Sequence, residues 1–275
     1  MSGVPPSDDR PAIDLHAHTT ASDGLATPER FVAAAITAGL GAIAVTDHDT
    51  VAAVAEVSRH ASGHDLRVIA GVELSVHDHA GKEVHMLGLH LADLDVIEAA
   101  LAGLRDGRCS RAERMVERLN AHGIAMSFDA VLAEAKGAAI GRPHVARALV
   151  KAGHATGPQD AFDKWLGAGR PAYVEKERLG MAEGMAIIHR AGGLAVYAHP
   201  GADGTRERIA PLVDLGLDGV EVRHPSHSAD DIKRLKSVVN HFGLVPSGGS
   251  DWHGATSGPR VLGCMHVRPE WLDRQ

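Results

Sequence analysis

The stretch Ala12–Gly24, AIDLHAHTTASDG, sets two histidines one residue apart, directly after an aspartate, where a short apolar strand runs out. On a β-strand residues i and i+2 share a side, so Asp14, His16 and His18 are expected to project together while Leu15 and Ala17 face the other way. Two imidazoles then converge on one point. Asp23 follows in an SDG turn, whose Gly24 can take the positive φ that would fold the carboxylate back toward that point.

The pattern repeats outward from this stretch, and the repetition decides the fold. Short apolar runs alternate with helical patterns: AIDLH, TPERFVAAAITAGLG, AIAVTDHD, VAAVAEVSRHA, then LRVIAGVELSV. Thr27 as N-cap, Pro28 at the first helical position and Gly39 past the end define the first helix. Strands alternating with helices imply parallel β-structure with crossover helices. Later stretches, GLAVYAHPG, DLGLDGVEVRHPS, a helix near 229–242 and GLVPSGGSDWHG, read as further βα units. Between 93 and 170 the rhythm changes to helices at 94–122, 129–136, 143–153 and 159–168 without a strand. This segment is expected to be an all-helical insertion in a body formed by 12–92 and 171–275. The opening 1–11, rich in Pro, Ser and Asp, is expected to be a flexible tail.

Composition narrows the partners. The chain has 275 residues with 28 Lys+Arg against 35 Asp+Glu, a formal net charge of −7. That balance argues against long nucleic acid or an anionic membrane as partner, and leaves room for a small anionic substrate held locally. Cys109 and Cys264 are the only cysteines and form no CxxC, which fits a reducing compartment and oxygen- or nitrogen-based metal chemistry. The N-terminus lacks a basic and apolar leader, and no apolar run is long enough to cross a bilayer. A soluble, cytoplasmic protein is expected. The 19 histidines are the compositional oddity.

Reading strand ends alone gives His16 and His18, then Asp47, His48 and Asp49 in TDHD, Glu73 in GVELS, His85 in EVHMLG, His199 in YAHPG, and Asp251 and His253 in GSDWHG. A buried carboxylate is costly unless it is paired or metal-bound, so repeated interruptions at equivalent places call for one explanation. A shared metal cluster supplies it. Imidazole and carboxylate without thiolate suit Zn, Mn or Fe, and Glu73 can bridge two ions. Any one of these histidines, taken singly, reads more readily as a satisfied core or surface residue. His60, His64, His77, His79, His122, His154, His189 and His241 read as surface or loop residues. Asp47 and Asp49 read as helix caps or as groups that orient the ligands.

The motifs DLHAHTTASDG, TDHDT, GVELS, HMLGL, GRPHVARALV, AHPG, VEVRHPSHS and GSDWHG, in this order over roughly residues 12–254, resemble the polymerase and histidinol phosphatase (PHP) family. The resemblance implies a distorted barrel of seven βα units, a (β/α)7 fold, with two or three divalent ions at the strand ends. It implies one ion on His16, His18, Glu73 and Asp251, a second on Glu73, His85 and His199, and a third on Asp23, His48 and His253. Asp23, His48, Glu73, His199 and Asp251 would carry the catalysis. Mn²⁺ is the ion the resemblance implies, with Zn²⁺ or Fe²⁺ as alternatives. The helical insertion, GRPHVARALV and HPSHS are most similar to the branch of nucleoside bisphosphate phosphatases, AMP phosphatases and short-oligonucleotide exonucleases. Arg223 and His224 in VEVRHPSHS depart from that branch, which leaves leaving-group specificity open.

Clustered divalent ions can activate water and clamp phosphoryl oxygens, so the expected chemistry is phosphoester hydrolysis. In LRDGRCSRAERMVERL, Arg105, Arg108, Arg111, Arg114 and Arg118 fall at spacings of three and four along one helix face. A solvated face paired with Glu113 and Glu117 explains that stripe on its own terms. The resemblance adds substrate-phosphate contact for Arg108 and Arg111, with Arg142, His144 and His227 as further candidates. For His144 a contact within its own helix N-terminus competes with that role. The expected function is removal of a phosphate from a nucleoside 3',5'-bisphosphate or nucleoside monophosphate. The alternatives are a 5'-to-3' exonuclease on short oligonucleotides and a non-catalytic, metal-stabilised module.

Overall fold

A computed structural model of the chain describes residues 12–135, 140–175 and 179–275, without the side chains of Leu104, Arg105, Arg108 and Arg274. The expected tail at 1–11 and the expected contact from the Arg108 side chain lie outside the described residues. The chain forms two compact units, Met1–Glu98 with Leu179–Gln275, and Ala99–Arg178.

In chain order the elements are β1 (Ile13–Asp14), α1 (Pro28–Thr37), β2 (Ala42–Val45), α2 (Val54–Ala61), β3 (Arg67–His77), β4 (Glu83–Leu89) and α3 (Leu94–Ala121). Then follow α4 (Phe128–Ala135), α5 (Arg142–Lys151), and α6 (Pro158–Ala161), which runs into a π-helical turn over Phe162–Leu166. The first unit resumes with α7 (Met181–Arg190), β5 (Leu194–Tyr197), α8 (Arg206–Asp214), β6 (Gly219–Arg223), α9 (Ala229–Phe242) and β7 (Val245–Gly248), and ends in a 3₁₀ helix over Pro269–Arg274. Among the described residues no helix is long and apolar enough to cross a membrane.

Local chemistry accounts for the helix ends. The Thr27 side chain accepts from the Arg30 N–H, Pro28 opens α1, and Gly39 stands beyond it at φ 67°. Helix α9 is closed by a capping box at Ser228 and Asp231, and by Gly243 in the left-handed region at φ 70°.

The seven strands form one sheet in the order β1-β2-β3-β4-β5-β6-β7. The parallel rhythm expected from sequence breaks at β4, which pairs antiparallel with both β3 and β5, whereas β1-β2-β3 and β5-β6-β7 are parallel. The physical reason is the short turn between β3 and β4. Asp78 Oδ1 accepts from the backbone N–H of Ala80 and Lys82, both at 2.9 Å, so the chain reverses without a crossover helix. At the open side, Leu15 N–H donates to Gly248 O (3.1 Å) and His18 N–H to Trp252 O (2.8 Å), which nearly closes the sheet into a barrel.

The barrel core is built from Ile13, Leu15, Ile69, Leu87, Leu89, Val196 and Val267, all buried. Each large aliphatic side chain so buried contributes roughly 1.5–3 kcal/mol relative to exposure. The second unit has its own core, in which Ala112, Met115, Val116 and Leu119 of α3 cluster with Val131 of α4 and Val145 and Leu149 of α5. Their spacing of three and four along α3 is the apolar stripe that binds a helix to its neighbours.

Candidate active site

The ligand-type side chains read from strand ends gather in the first unit. His16 and His18 are fully buried, and Glu73 on β3 is nearly so. His16 Nε2 and His18 Nε2 lie 3.1 and 3.3 Å from Glu73 Oε2, and 3.5 and 3.1 Å from Asp251 Oδ1. On the other side of the same carboxylate, Glu73 Oε1 lies 2.8 Å from His85 Nδ1 and 3.1 Å from His199 Nε2. A further group surrounds Asp23, whose Oδ1 is 3.2 Å from His253 Nε2 and 3.7 Å from His18 Nδ1, with His48 Nε2 at 3.9 Å from Oδ2. His48 also reaches Glu73, its Nδ1 lying 3.3 Å from Oε2.

These donors fit divalent metal. His16 Nε2, both ring nitrogens of His18 and Glu73 Oε2 are buried and have no hydrogen-bond partner, although they sit within contact distance of one another. Buried polar atoms that crowd together without hydrogen-bond geometry are donors that a shared central cation would satisfy. Of four compact donor sets, three gather around Glu73 and Asp23: His16, His18, Glu73 and Asp251; His48, Glu73 and His85; and His18, Asp23, His48 and His253; the fourth is His16, Glu221 and His224. All are nitrogen and oxygen donors, the chemistry of Zn, Mn or Fe.

The electrostatics are those of carboxylates and imidazoles crowded together in a buried site. Burial alone would favour a protonated Glu73, yet His16, His18 and His199 around it hold its carboxyl well below the usual range. Burial likewise opposes charge on His16, but Glu73 and Glu221 push its imidazole well above the ordinary value. Burial lowers His48. Asp251 is buried enough to resist ionisation, and is nonetheless held low by His18 and His224.

A surrounding layer fixes these groups. Asp47 accepts from Thr19 N–H (2.8 Å), Thr19 Oγ1 (2.8 Å) and Ser22 Oγ (2.6 Å), and so shapes the loop that carries Asp23. Asp49 accepts from Ser75 N–H at 3.0 Å and Ser75 Oγ at 3.1 Å, two residues beyond Glu73. Both aspartates orient the site, and neither caps a helix through these bonds. Asp14 departs from its expected place beside the histidines. Its carboxylate accepts from Ser250 N–H and Gly263 N–H, both at 2.9 Å, because regular strand pairing stops at Asp14 and the alternation carries no further. Gly24 also differs, since it is absent from the positive-φ glycines. Its role is close approach: a Cβ there would stand 2.5 Å from His18 O.

Glu221 and Arg260 escaped sequence reading, and His224 entered it only as a departure from the branch pattern. Glu221 on β6 is fully buried, accepting from His16 Nδ1–H (3.1 Å) and His199 N–H (2.8 Å). That bond leaves His16 Nε2 as the lone-pair nitrogen, the usual carboxylate–histidine–metal arrangement. His224 Nε2 lies 3.3 Å from Asp251 Oδ2, the oxygen that the Arg260 guanidinium also contacts. A charged residue between Val220 and Val222 was the available signal for Glu221; Arg260 sits in a loop without periodicity and offered none. Above the donors opens a cavity of about 280 Å³, lined by His48, Glu73, His85, His199, Asp251, His253 and Arg260 among others.

The expected substrate contacts fare differently. His227 is buried, with Nδ1–H donating to Val222 O (3.0 Å) and Nε2 accepting from Gly201 N–H (3.2 Å), so neither ring nitrogen is left for a substrate. His144 Nδ1 accepts from Gly141 N–H at 3.0 Å, the local contact at its own helix start. In the second unit, Arg111 Nε–H donates to Val174 O at 2.8 Å, and the Arg142 guanidinium lies 5.7 Å from the Phe162 ring centroid and 5.9 Å from that of Tyr173. Arg111 and Arg142 thus meet adjacent residues, Val174 and Tyr173; partial burial, and then the charge of Arg142, lower the Arg111 pKa.

Comparison with known proteins places this geometry. Residues 14–166 match the PHP domain. The chain is 37% identical over 255 residues to the 5'-3' exoribonuclease Rnm of Salmonella typhimurium, covering 87% of this chain and 84% of that protein. It is 35% identical over 273 residues to the 3',5'-nucleoside bisphosphate phosphatase of Chromobacterium violaceum, covering 95% of each. A Bifidobacterium adolescentis protein assigned as a metal-dependent phosphoesterase superposes with a TM-score of 0.70 at 33% identity, over 95% of this chain and 94% of that one. The histidine and carboxylate donors at the strand ends and the nearly closed mixed sheet thus sit in a chain that belongs to the PHP family.

Proposed function

We propose that this protein is a metal-dependent phosphoesterase that removes a phosphate from a small nucleotide, a nucleoside 3',5'-bisphosphate or a nucleoside monophosphate. The observation that carries the reading is Glu73, whose two oxygens face different histidine sets at the floor of an open cavity. A purely structural metal site is closed and needs one ion. Divalent ions held here would make water a competent nucleophile near neutral pH and stabilise charge on the phosphoryl oxygens.

The residues' own tasks follow from their positions. His16, His18, Glu73 and Asp251 would hold one ion, Glu73, His85 and His199 a second, and Asp23, His48 and His253 a third. Glu221 keeps His16 in the tautomer that offers Nε2, and Arg260 with His224 fixes the outer oxygen of Asp251. Mn²⁺ is the ion we favour. We assign the substrate's further phosphate to Arg111 and Arg142 in the helical unit. Arg111 and Arg142 meet the adjacent residues Val174 and Tyr173, and an anion between two such guanidiniums would relieve their repulsion. The two thiols are free, in keeping with a cytoplasmic setting.

The exonuclease reading has its support in the relatives named Rnm. A panel of nucleoside monophosphate, nucleoside 3',5'-bisphosphate and a short oligonucleotide, with metal content measured on the same sample, separates the readings. The highest kcat/KM on the bisphosphate is the expected result. Turnover of the oligonucleotide alone would overturn it.

A further inference from the structure

Away from the metal donors, the first unit holds a second cavity of about 240 Å³, between β6, β7, α9 and the C-terminal 3₁₀ helix. Arg223, Lys236, Asn240, Arg268 and Trp271 are on its wall, and it shares no lining residue with the cavity over the metal donors. Three cations around one small cavity, in a chain of net charge −7, form a local excess that average composition does not supply.

The chemistry of these side chains points to an anion. Arg223 donates one N–H to Met265 O at 2.8 Å, which aims the guanidinium, while its Nε is buried without a hydrogen-bond partner. Arg223 lines the cavity, and the terminal N–H groups not given to Met265 are donors for a phosphoryl oxygen there. Lys236 is exposed on α9, and among the described residues no carboxylate pairs with it. Arg268 is partly neutralised by Glu270, at 3.3 Å. Trp271 adds the one aromatic surface, and Asn240 an amide that both donates and accepts. The volume falls short of the roughly 300–1,000 Å³ of pockets that enclose drug-sized ligands. It suits a phosphoryl group with a small attached moiety.

We propose that this cavity is a second binding site for a phosphomonoester, in which Arg223, Lys236 and Arg268 hold the phosphoryl group and Trp271 packs on what the phosphate carries. The site is separate from the metal donors, so it binds without hydrolysing. It nevertheless adjoins them through β6. Glu221, two residues before Arg223, holds His16, and His224, the next residue, meets Asp251.

The three tryptophans of the chain give three indole N–H resonances, and a Trp271→Phe variant identifies the one at this cavity. Orthophosphate and adenosine 5'-monophosphate are titrated into the full chain carrying Glu73→Gln, which removes the proposed chemistry without touching this cavity. Saturable movement of the Trp271 resonance is expected with both ligands. Tighter binding of the nucleotide would identify a nucleotide as the occupant, and equal binding would identify free phosphate. A Lys236→Glu, Arg268→Glu double variant should weaken this binding at least about ten-fold, the scale of one charge-assisted contact. The same double variant made in the chain that keeps Glu73 should retain wild-type hydrolysis. A Trp271 resonance that stays still at millimolar ligand, or equal affinity in the charge-reversed variant, would overturn the proposal.

Discussion

Replacing Glu73 by glutamine keeps the side chain's shape and removes its charge, and the geometry says which donor sets suffer. The set of His48, Glu73 and His85 contains no other carboxylate, whereas His16, His18 and Asp251 retain an anion without Glu73. The group around Asp23 does not use Glu73. Breaking a buried charge cluster by removing one partner costs about 3–5 kcal/mol, or roughly 10²- to 10⁴-fold in affinity. Metal analysis of Glu73→Gln should therefore show the His85 set empty, the His16–His18 set weakened and the Asp23 set still competent. Hydrolysis should fall further than in any single histidine variant, because Glu73 is the one carboxylate of the His48–His85 set and one of two in the His16–His18 set, whereas each histidine removes only a neutral donor. A chromogenic phosphoester assay, run alongside metal analysis by mass spectrometry, measures both. If Glu73→Gln keeps wild-type metal content and near-normal turnover, the shared-carboxylate reasoning is refuted.

Asp47→Asn should reduce kcat by about 10- to 100-fold with metal content largely kept, since Asp47 shapes the loop bearing Asp23 and is not itself a donor. Exhaustive chelation should abolish hydrolysis and added Mn²⁺ should restore it best; full activity in a verified metal-free sample would contradict the mechanism. Arg111→Ala should lower kcat/KM on the bisphosphate about 10- to 150-fold more than on the monophosphate, and an equal drop on both would return Arg111 to a structural role through Val174. Asp231 is held below the usual carboxylate range by the Ser228 hydroxyl and Arg234. A depressed carboxyl stabilises the fold above its unfolded value near 4 and loses that contribution as pH falls through the folded value. Ser228→Ala should cost about 1 kcal/mol and flatten the acid limb of a stability–pH profile measured by denaturant unfolding.

Much of the site was legible because its signal is local. A histidine or carboxylate set within or just past an apolar strand violates the burial rule at that residue, and Glu73 and His85 do so within strands, His16, His18 and His199 just beyond them. Helix α1 was legible for the same reason, since Thr27, Pro28 and Gly39 each act within a turn of their own position. The reversal of β4 was not, because antiparallel pairing is decided by which strand accepts which hydrogen bonds, and only the Asp78 turn signals it. His227 shows the opposite failure. In sequence it is one more histidine beside a motif, and only the packed chain brings Val222 O and Gly201 N–H to its two nitrogens. Asp14 was misplaced for a related reason: alternation holds only while a strand is paired, and that pairing ends at Asp14. Glu221 gains its role through a bond to a residue more than two hundred positions away, and Arg260 through one to Asp251 across an irregular loop that no periodicity describes. The sequence by itself determined the donor types and the α/β alternation, since both are carried by residue chemistry and short-range periodicity. Only the tertiary structure decided which oxygen of Glu73 faces which histidines, which carboxylates orient the donors, and which histidines are already spent, because those are properties of distances between segments that the chain's order does not contain.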